Sequence, residues 1–306
     1  MILAPIILFV YKRVESVKSV ITSLLRNNLA SESEIYIFCD GPKGELDSAK
    51  VKEVQDYVDT INGFKKVNIF KDNQNKGLAN SVILGVSKVF EFHDKVIVLE
   101  DDLIVRSNFL AFMNQCLESY EHQDQVFSIS GYSYQLKEKE IISDAYFVTR
   151  GCSWGWATWK NRWIKVDWDI NNYSNSKFNQ KGYQFNYSGS DFPSLLKRQK
   201  YGKVDSWAIR WYYNQWREGS VTLYPKYSLL ENIGFDLDAT HTVGYNRYKV
   251  KFFSESKEYF SLPSEIQINS YYQKELQRKF SLINRAIFGR FFSIIKNSIP
   301  FIFKNN

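Results

Sequence analysis

With 306 residues, 44% of them apolar and 24% charged, the chain has a folded composition and the length for one large α/β domain with additions or two small ones. Its net charge of +7 is unevenly placed. No acid follows Glu275, whereas Arg278, Lys279, Arg285, Arg290, Lys296 and Lys304 do, so the first 275 residues carry only +1. That balance argues against a broad nucleic-acid-binding face and for a local contact with something anionic. Aromatic residues make up 17%, a level shared by sugar-handling proteins, thick cores and membrane-surface proteins. The three cysteines, Cys39, Cys116 and Cys152, follow neither a disulfide nor a zinc spacing, which fits a reducing cytoplasm. Met1 to Val10 is apolar but too short to span a bilayer and lacks a basic leader, so it reads as a first strand.

In chain order, Ile6 to Val10 predicts a buried strand, and Val17, Val20, Ile21, Leu24 and Leu25 give a helix over Val14–Leu25. Ile35–Cys39 predicts a second strand, ended by the turn signal Asp40-Gly41-Pro42. A helix over Lys50–Ile61, a short strand at Val67–Phe70 and a helix over Ser81–Phe90 follow. A helix over Phe109–Tyr120 and a strand over Val126–Ser130 complete this half. Strand and helix alternate at short intervals, so the expected fold is α/β, a mostly parallel sheet with helices on both faces.

Between the third helix and the fourth lies Val96-Ile97-Val98-Leu99-Glu100-Asp101-Asp102. The apolar run reads as a central strand covered on both sides, and the three acids fall where it leaves the sheet. Ligands of open α/β sheets bind outside the carboxyl ends of strands. Three adjacent acids repel one another unless something positive lies among them. Mg²⁺ or Mn²⁺ carrying a diphosphate would supply that charge, since both take oxygen ligands. The alternative is a set of solvated loop acids. Arg13, Asp40 and Lys76 also follow strands and gather on the same edge, where a nucleotide would lie. Neither G-x-G-x-x-G nor a P-loop lysine motif occurs, so a dinucleotide dehydrogenase or an NTPase has no support.

The second half changes character. Gly151 to Trp159 is a glycine-tryptophan segment leading into a short helix with Trp163. It reads either as a ligand loop, with Trp154, Gly155 and Trp156 against a sugar, or as a core aromatic cluster. Residues 171–192 are polar and predict a loop. Lys203-Val204-Asp205-Ser206-Trp207 opens a helix to about Arg217, with Asp205 as its N-cap. Pro225–Phe235 predicts a strand and turn, followed by Asp236, Asp238 and His241. Arg278 to Lys304 predicts a basic amphipathic helix, with Phe280, Ile283, Ile287, Phe291 and Ile294 on its apolar side. It would lie on an anionic membrane or dock on the protein's own core.

Taken together, these motifs resemble GT-A glycosyltransferases, specifically the mannosyl-glycoprotein N-acetylglucosaminyltransferase type and bacterial family-2-like enzymes of surface-polysaccharide synthesis. The likeness runs over about residues 4 to 245. Val98-Leu99-Glu100-Asp101-Asp102 resembles that group's E-D-D form of the D-x-D motif. Phe9 to Arg13 and Phe38 to Gly41 resemble the loops that hold base and ribose, and Gly151 to Trp156 the glycine-aromatic loop. The resemblance implies a GT-A (Rossmann-like) catalytic domain over 1–245, divided into a nucleotide-sugar half (1–135) and an acceptor half (136–245). A C-terminal helical extension (246–306) has no counterpart in it.

The implied reaction moves a sugar from a nucleotide diphosphate sugar to a glycan or lipid-linked acceptor, with inversion. Asp102 would hold Mn²⁺ or Mg²⁺, with His241 completing the shell. Tyr11, Arg13, Asp40, Lys76, Glu100, Asp101, Trp154, Gly155 and Trp156 would bind the donor. Asp205 would take the acceptor's proton, with Asp236, Asp238 or Glu231 behind it. Asp205 is a single acid where the relative has two. The basic segment 278–304 would place the enzyme at the cytoplasmic face of a membrane. Two rivals stand beside this reading. A sugar-nucleotide pyrophosphorylase would need a Gly-rich loop near the first strand, and none occurs. A non-catalytic carbohydrate-binding or scaffold protein would not need three acids after a buried strand.

Overall fold

The computed structural model describes residues 2–137, 141–174, 176–234 and 250–281. In chain order the elements are β1 (Ile6–Val10), α1 (Val14–Leu25), β2 (Glu34–Cys39), α2 (Glu45–Val58), β3 (Lys66–Lys71), α3 (Leu78–Val89), β4 (Lys95–Glu100) and β5 (Leu103–Val105). There follow α4 (Phe109–Ser119), β6 (Val126–Ser130), β7 (Ala145–Val148), β8 (Trp156–Trp159), α5 (Lys160–Trp163) and α6 (Asp191–Lys200). Last come α7 (Trp207–Arg217), β9 (Val221–Pro225), β10 (Leu230–Asn232) and α8 (Ser270–Lys279).

One mixed sheet of order β3-β2-β1-β4-β8-β6-β9-β7 forms the centre. β3, β2, β1, β4, β6 and β9 run one way; β8 and β7 run against them. Side chains alternate across it as the pleat requires. Ile6, Leu8 and Val10 of β1 face a core shared with α1 and α4, while Ile7 and Phe9 face a core shared with α3 and α7. α1 presents Val17, Val20, Ile21 and Leu24, a helical stripe, to the first of these. The architecture is therefore the α/β, Rossmann-like sheet with helices on both faces that the alternation of elements predicts.

Several local expectations change. α2 starts five residues before Lys50, in an exposed first turn whose Glu45 and Asp47 suit a helix N-terminus but carry no apolar periodicity. Trp156–Trp159 is a central strand and not a loop, and α6 forms from the end of the polar stretch onward. Within Pro225–Phe235 the strand is the short β10, while a longer strand, β9, precedes it and ends at Pro225. The C-terminal helix starts at Ser270, capped by the Asn269 side chain, which accepts from the Tyr272 amide at 3.1 Å, and it ends at Lys279. Phe280 is buried with its ring 3.5 Å from the Arg150 guanidinium, so it belongs to the protein's own core and not to a membrane-facing stripe. The remainder of the expected basic helix, 282–304, lies outside the described residues. Among the described residues no helix is long and apolar enough to cross a membrane.

Candidate active site

The parallel strands deliver their following residues to one edge. β1 hands over to Tyr11, Lys12 and Arg13, β2 to Asp40, and β4 ends in Glu100 with Asp101 and Asp102 beyond it. Because β1 lies between β2 and β4, with Phe9 opposite both Phe38 and Glu100, all of these but Asp102 line one cleft of about 290 Å³, and Asp102 adjoins it through Arg13. Tyr11, Arg13, Asp40, Glu100 and Asp101 line it with Lys43, Asn75, Leu78 and Ser81, whose buried hydroxyl has no hydrogen-bond partner among the described residues.

Each wall has its own support. Asp47, in the first turn of α2, accepts from the Tyr11 hydroxyl at 2.8 Å and from Lys12 Nζ at 2.7 Å, fixing both residues after β1. Asp40 is buried and fully engaged. Its carboxylate accepts from the amides of Gly41 (2.9 Å), Lys76 (2.8 Å) and Gly77 (3.1 Å) and from Asn75 Nδ2 (3.0 Å). Asp40 therefore shapes the loop before α3. Gly41 permits this closure, because a Cβ there would lie 2.4 Å from the Gln74 nitrogen. Lys76 reaches the site with its amide, whereas its ammonium turns to Asp72 at 2.5 Å.

The acid cluster is neutralised from within the chain. Arg13 Nη2 donates to Asp101 Oδ1 and, at 3.2 Å, to Asp102 Oδ2. Burial works against the Arg13 charge, yet the two carboxylates outweigh it and hold the guanidinium protonated above its ordinary range. Burial raises Asp101 above the usual carboxylate range, with Arg13 opposing. Glu100 makes no hydrogen bond to another described residue through its carboxyl. Burial first, then repulsion by Asp102 and Asp101, pushes its pKa up to about 8. Behind Asp102, the ribbon of β5 and β10 brings Asn232 and Gly234 close; a Cβ on Gly234 would come within 2.5 Å of Asp102 Oδ2 and 3.0 Å of Asn232 Oδ1.

A divalent ion suits this donor chemistry. Two carboxylates that already share one cationic nitrogen offer hard oxygens facing a common space, and Mg²⁺ or Mn²⁺ characteristically takes one or two carboxylates and completes its shell from phosphates and water. Among the described residues no group of three His, Cys, Asp or Glu forms a self-sufficient metal cage. His241, Asp236 and Asp238 lie outside the described residues.

The tryptophan segment resolves in favour of the core reading at Trp156. That ring is 1% exposed and packs at 5.1 Å, 5.4 Å and 5.8 Å from Trp207, Trp211 and Trp163, leaving no face for a ligand. Gly155 is not an open approach to a ligand either. Its φ is +52°, and a Cβ would meet Leu230 Cδ2 at 2.1 Å, so the residue serves close packing. Trp154 is half-buried, edge-on to Tyr132 at 4.8 Å. Asp205 does not cap α7. Ser206 does, its hydroxyl accepting from the Ile209 amide at 3.3 Å. Asp205 stands exposed beside it, ion-paired with Arg210 at 2.9 Å. Glu231 is exposed on β10, opposite Ile104.

Sequence reasoning passed over Asp47, Asn75, Ser81, Asn232 and Gly234. Asn75 had a signal, since it stands in the Asp-Asn-Gln-Asn-Lys-Gly turn next to Lys76; the others become visible only once β1, β2 and β4 are neighbours.

No family model and no curated protein matches the chain in sequence. Solved structures resemble it in fold. A mannosyltransferase of Pyrobaculum calidifontis, in complex with GDP-Man and Mn²⁺, is 9% identical with a TM-score of 0.31, over 44% of this chain and 36% of that one. Residues 1–349 of S. aureus TarS are 10% identical with a TM-score of 0.36, over 74% and 59%. An apo UDP-glucose pyrophosphorylase gives 10% and 0.36, over 74% and 91%. The chain thus spans about a third to three fifths of the length of these two transferase structures, and the likeness is one of fold alone.

Proposed function

We propose that this protein is a metal-dependent glycosyltransferase that moves a sugar, with inversion, from a nucleotide diphosphate sugar to a hydroxyl of a glycan or lipid-linked acceptor. One observation carries the reading: β4 ends in three consecutive acids, two of them lining a cleft whose other walls, Tyr11 to Arg13 and Asp40 with its amide-rich loop, follow the adjacent strands. A nucleotide lies along such an edge, and the acids supply the oxygen ligands a diphosphate's counter-ion needs.

Asp102, supported by Asp101, would hold Mn²⁺ or Mg²⁺; that ion, when bound, neutralises the departing diphosphate. Tyr11, held by Asp47, and Lys43 line the donor's path, and Asp40 keeps the loop amides in place. Glu100 offers its carboxyl to a ribose or sugar hydroxyl. Asp205 takes the acceptor hydroxyl's proton as the new bond forms. The basic run after Glu275 supports an extension of the proposal to an anionic membrane surface.

A thermal-shift panel with Mn²⁺ or Mg²⁺ and UDP, GDP, TDP or CMP, singly and in pairs, tests the reading, because a ligand that binds only the folded state raises apparent stability. A shift that needs a metal and one nucleoside diphosphate together is expected, and it disappears in Asp102→Ala. Asp205→Asn retains the shift and loses transfer. No shift with any pair would sink the transferase reading; transfer lost in Glu231→Gln but kept in Asp205→Asn would move the base to β10.

A further inference from the structure

We propose that Arg13 is a resident counter-ion that competes with the divalent metal for Asp102, so that metal loading requires its guanidinium to withdraw. The inference rests on the metal role proposed above for Asp102. Its starting point is that a single nitrogen, Arg13 Nη2, serves both Asp101 Oδ1 and Asp102 Oδ2. An ion bound at about 2.1 Å from these oxygens would stand in the space the nitrogen holds, with like charge. Guanidinium and metal therefore exclude each other there.

Among the described residues, Asp102 Oδ2 is also crowded on the side away from Arg13. Behind Asp102 Oδ2 the space is bounded by Gly234 and by Asn232 Oδ1, which accepts from the Gly234 amide at 2.7 Å. Among the described residues no cation besides Arg13 pairs with Asp101 or Asp102; the neighbouring Lys12 is taken by Asp47. Arg13 has room to withdraw. Its backbone is fixed at the entry of α1, where its carbonyl accepts from the Val17 amide at 3.0 Å. Its side chain is 44% exposed, so the guanidinium can turn toward solvent about that fixed backbone. Released, the guanidinium remains in the wall of the same cleft, within reach of an anionic ligand.

The test needs no donor sugar. Mn²⁺ is titrated into the nucleotide-free full chain and followed by the electron paramagnetic resonance of free Mn²⁺ and by calorimetry. Arg13→Gln is expected to bind Mn²⁺ at least tenfold more tightly than the wild type. Arg13→Lys keeps the charge without the fork and should fall between them. Lys12→Gln removes an adjacent positive charge that does not touch the acids and should leave affinity within twofold, which separates competition from a general field effect. Circular dichroism confirms that each variant is folded. Equal or weaker binding in Arg13→Gln overturns the proposal, as does an absence of Mn²⁺ binding in both wild type and variant. The nucleotide panel is independent of this result. Nucleotide binding without Mn²⁺ competition removes only the role of Arg13, whereas competition without nucleotide binding removes the transferase reading and leaves Arg13 standing.

Discussion

Replacing Glu100 by Gln should abolish a pH dependence of stability that the wild type carries. Glu100 has its pKa raised from 4.5 to about 8 in the folded protein, by burial and then by Asp102 and Asp101. Above pH 4.5 the unfolded chain releases this proton while the folded chain keeps it. Stability therefore falls as pH rises, by about 1.4 kcal/mol per unit, until the folded group ionises near 8. The full span sets a ceiling of about 5 kcal/mol. Because the carboxyl borders an open cleft, water relaxes part of the penalty, and a loss of about 2–3 kcal/mol is expected between pH 5 and pH 8. Gln has the shape of the neutral acid and cannot ionise, so Glu100→Gln should match the wild type near pH 5 and exceed it by that amount at pH 8. Urea unfolding of both proteins at pH 5, 6.5 and 8, with chelator present, measures the difference, and every other titrating group cancels between them. Parallel profiles for the two proteins would show that Glu100 ionises like an ordinary surface acid and that burial and the adjacent acids do not hold its proton in the metal-free protein.

Two further outcomes follow from the geometry. Asp40→Ala removes the acceptor of four hydrogen bonds that hold the loop before α3; a loss of about 2–4 kcal/mol in urea unfolding is expected, together with the disappearance of the nucleotide-dependent thermal shift. Asp191→Asn strips Arg150, buried between Phe192 and Phe280, of a two-pronged carboxylate partner at 3.0 Å. It should cost about 3–5 kcal/mol, and replacing both residues by apolar ones should recover most of that loss.

The first half of the fold is legible because each element there carries its own signal. β1 and β4 are apolar runs with no polar interruption, and α1 shows its buried stripe at helical spacing. β8 hides for a physical reason. Its residues alternate correctly, Trp156 to one core and Ala157 with Trp159 to the other, but glycine and tryptophan before a helix look the same whether the rings meet a sugar or one another. The acid cluster is readable as a strand end bearing charge, and its internal neutralisation is readable only in part. Arg13 and Asp101 are 88 residues apart, and nothing local joins them. Once β1 is placed beside β4 in parallel, the residues just beyond their ends must meet, so the pairing follows from topology and not from any motif. The cap of α7 turns on a one-residue choice between Asp205 and Ser206, which propensity does not decide, since both types cap well.

That one-residue shift bears on the chemistry. A capping Asp205 would have its carboxylate bound to the amides of α7. With Ser206 in that role, Asp205 stands outside the helix, exposed and joined to Arg210. Its position relative to the acids is transmitted through Trp156. The backbone of Trp156 is in register with Val98, two residues before Glu100, and its ring packs on Trp207, two residues after Asp205. The antiparallel insertion of β8 between β4 and β6 thus ties the entry of α7 to the end of β4. A residue that the sequence offers as a stacking surface for sugar serves instead as the strut between the proposed metal-binding acids and the proposed base.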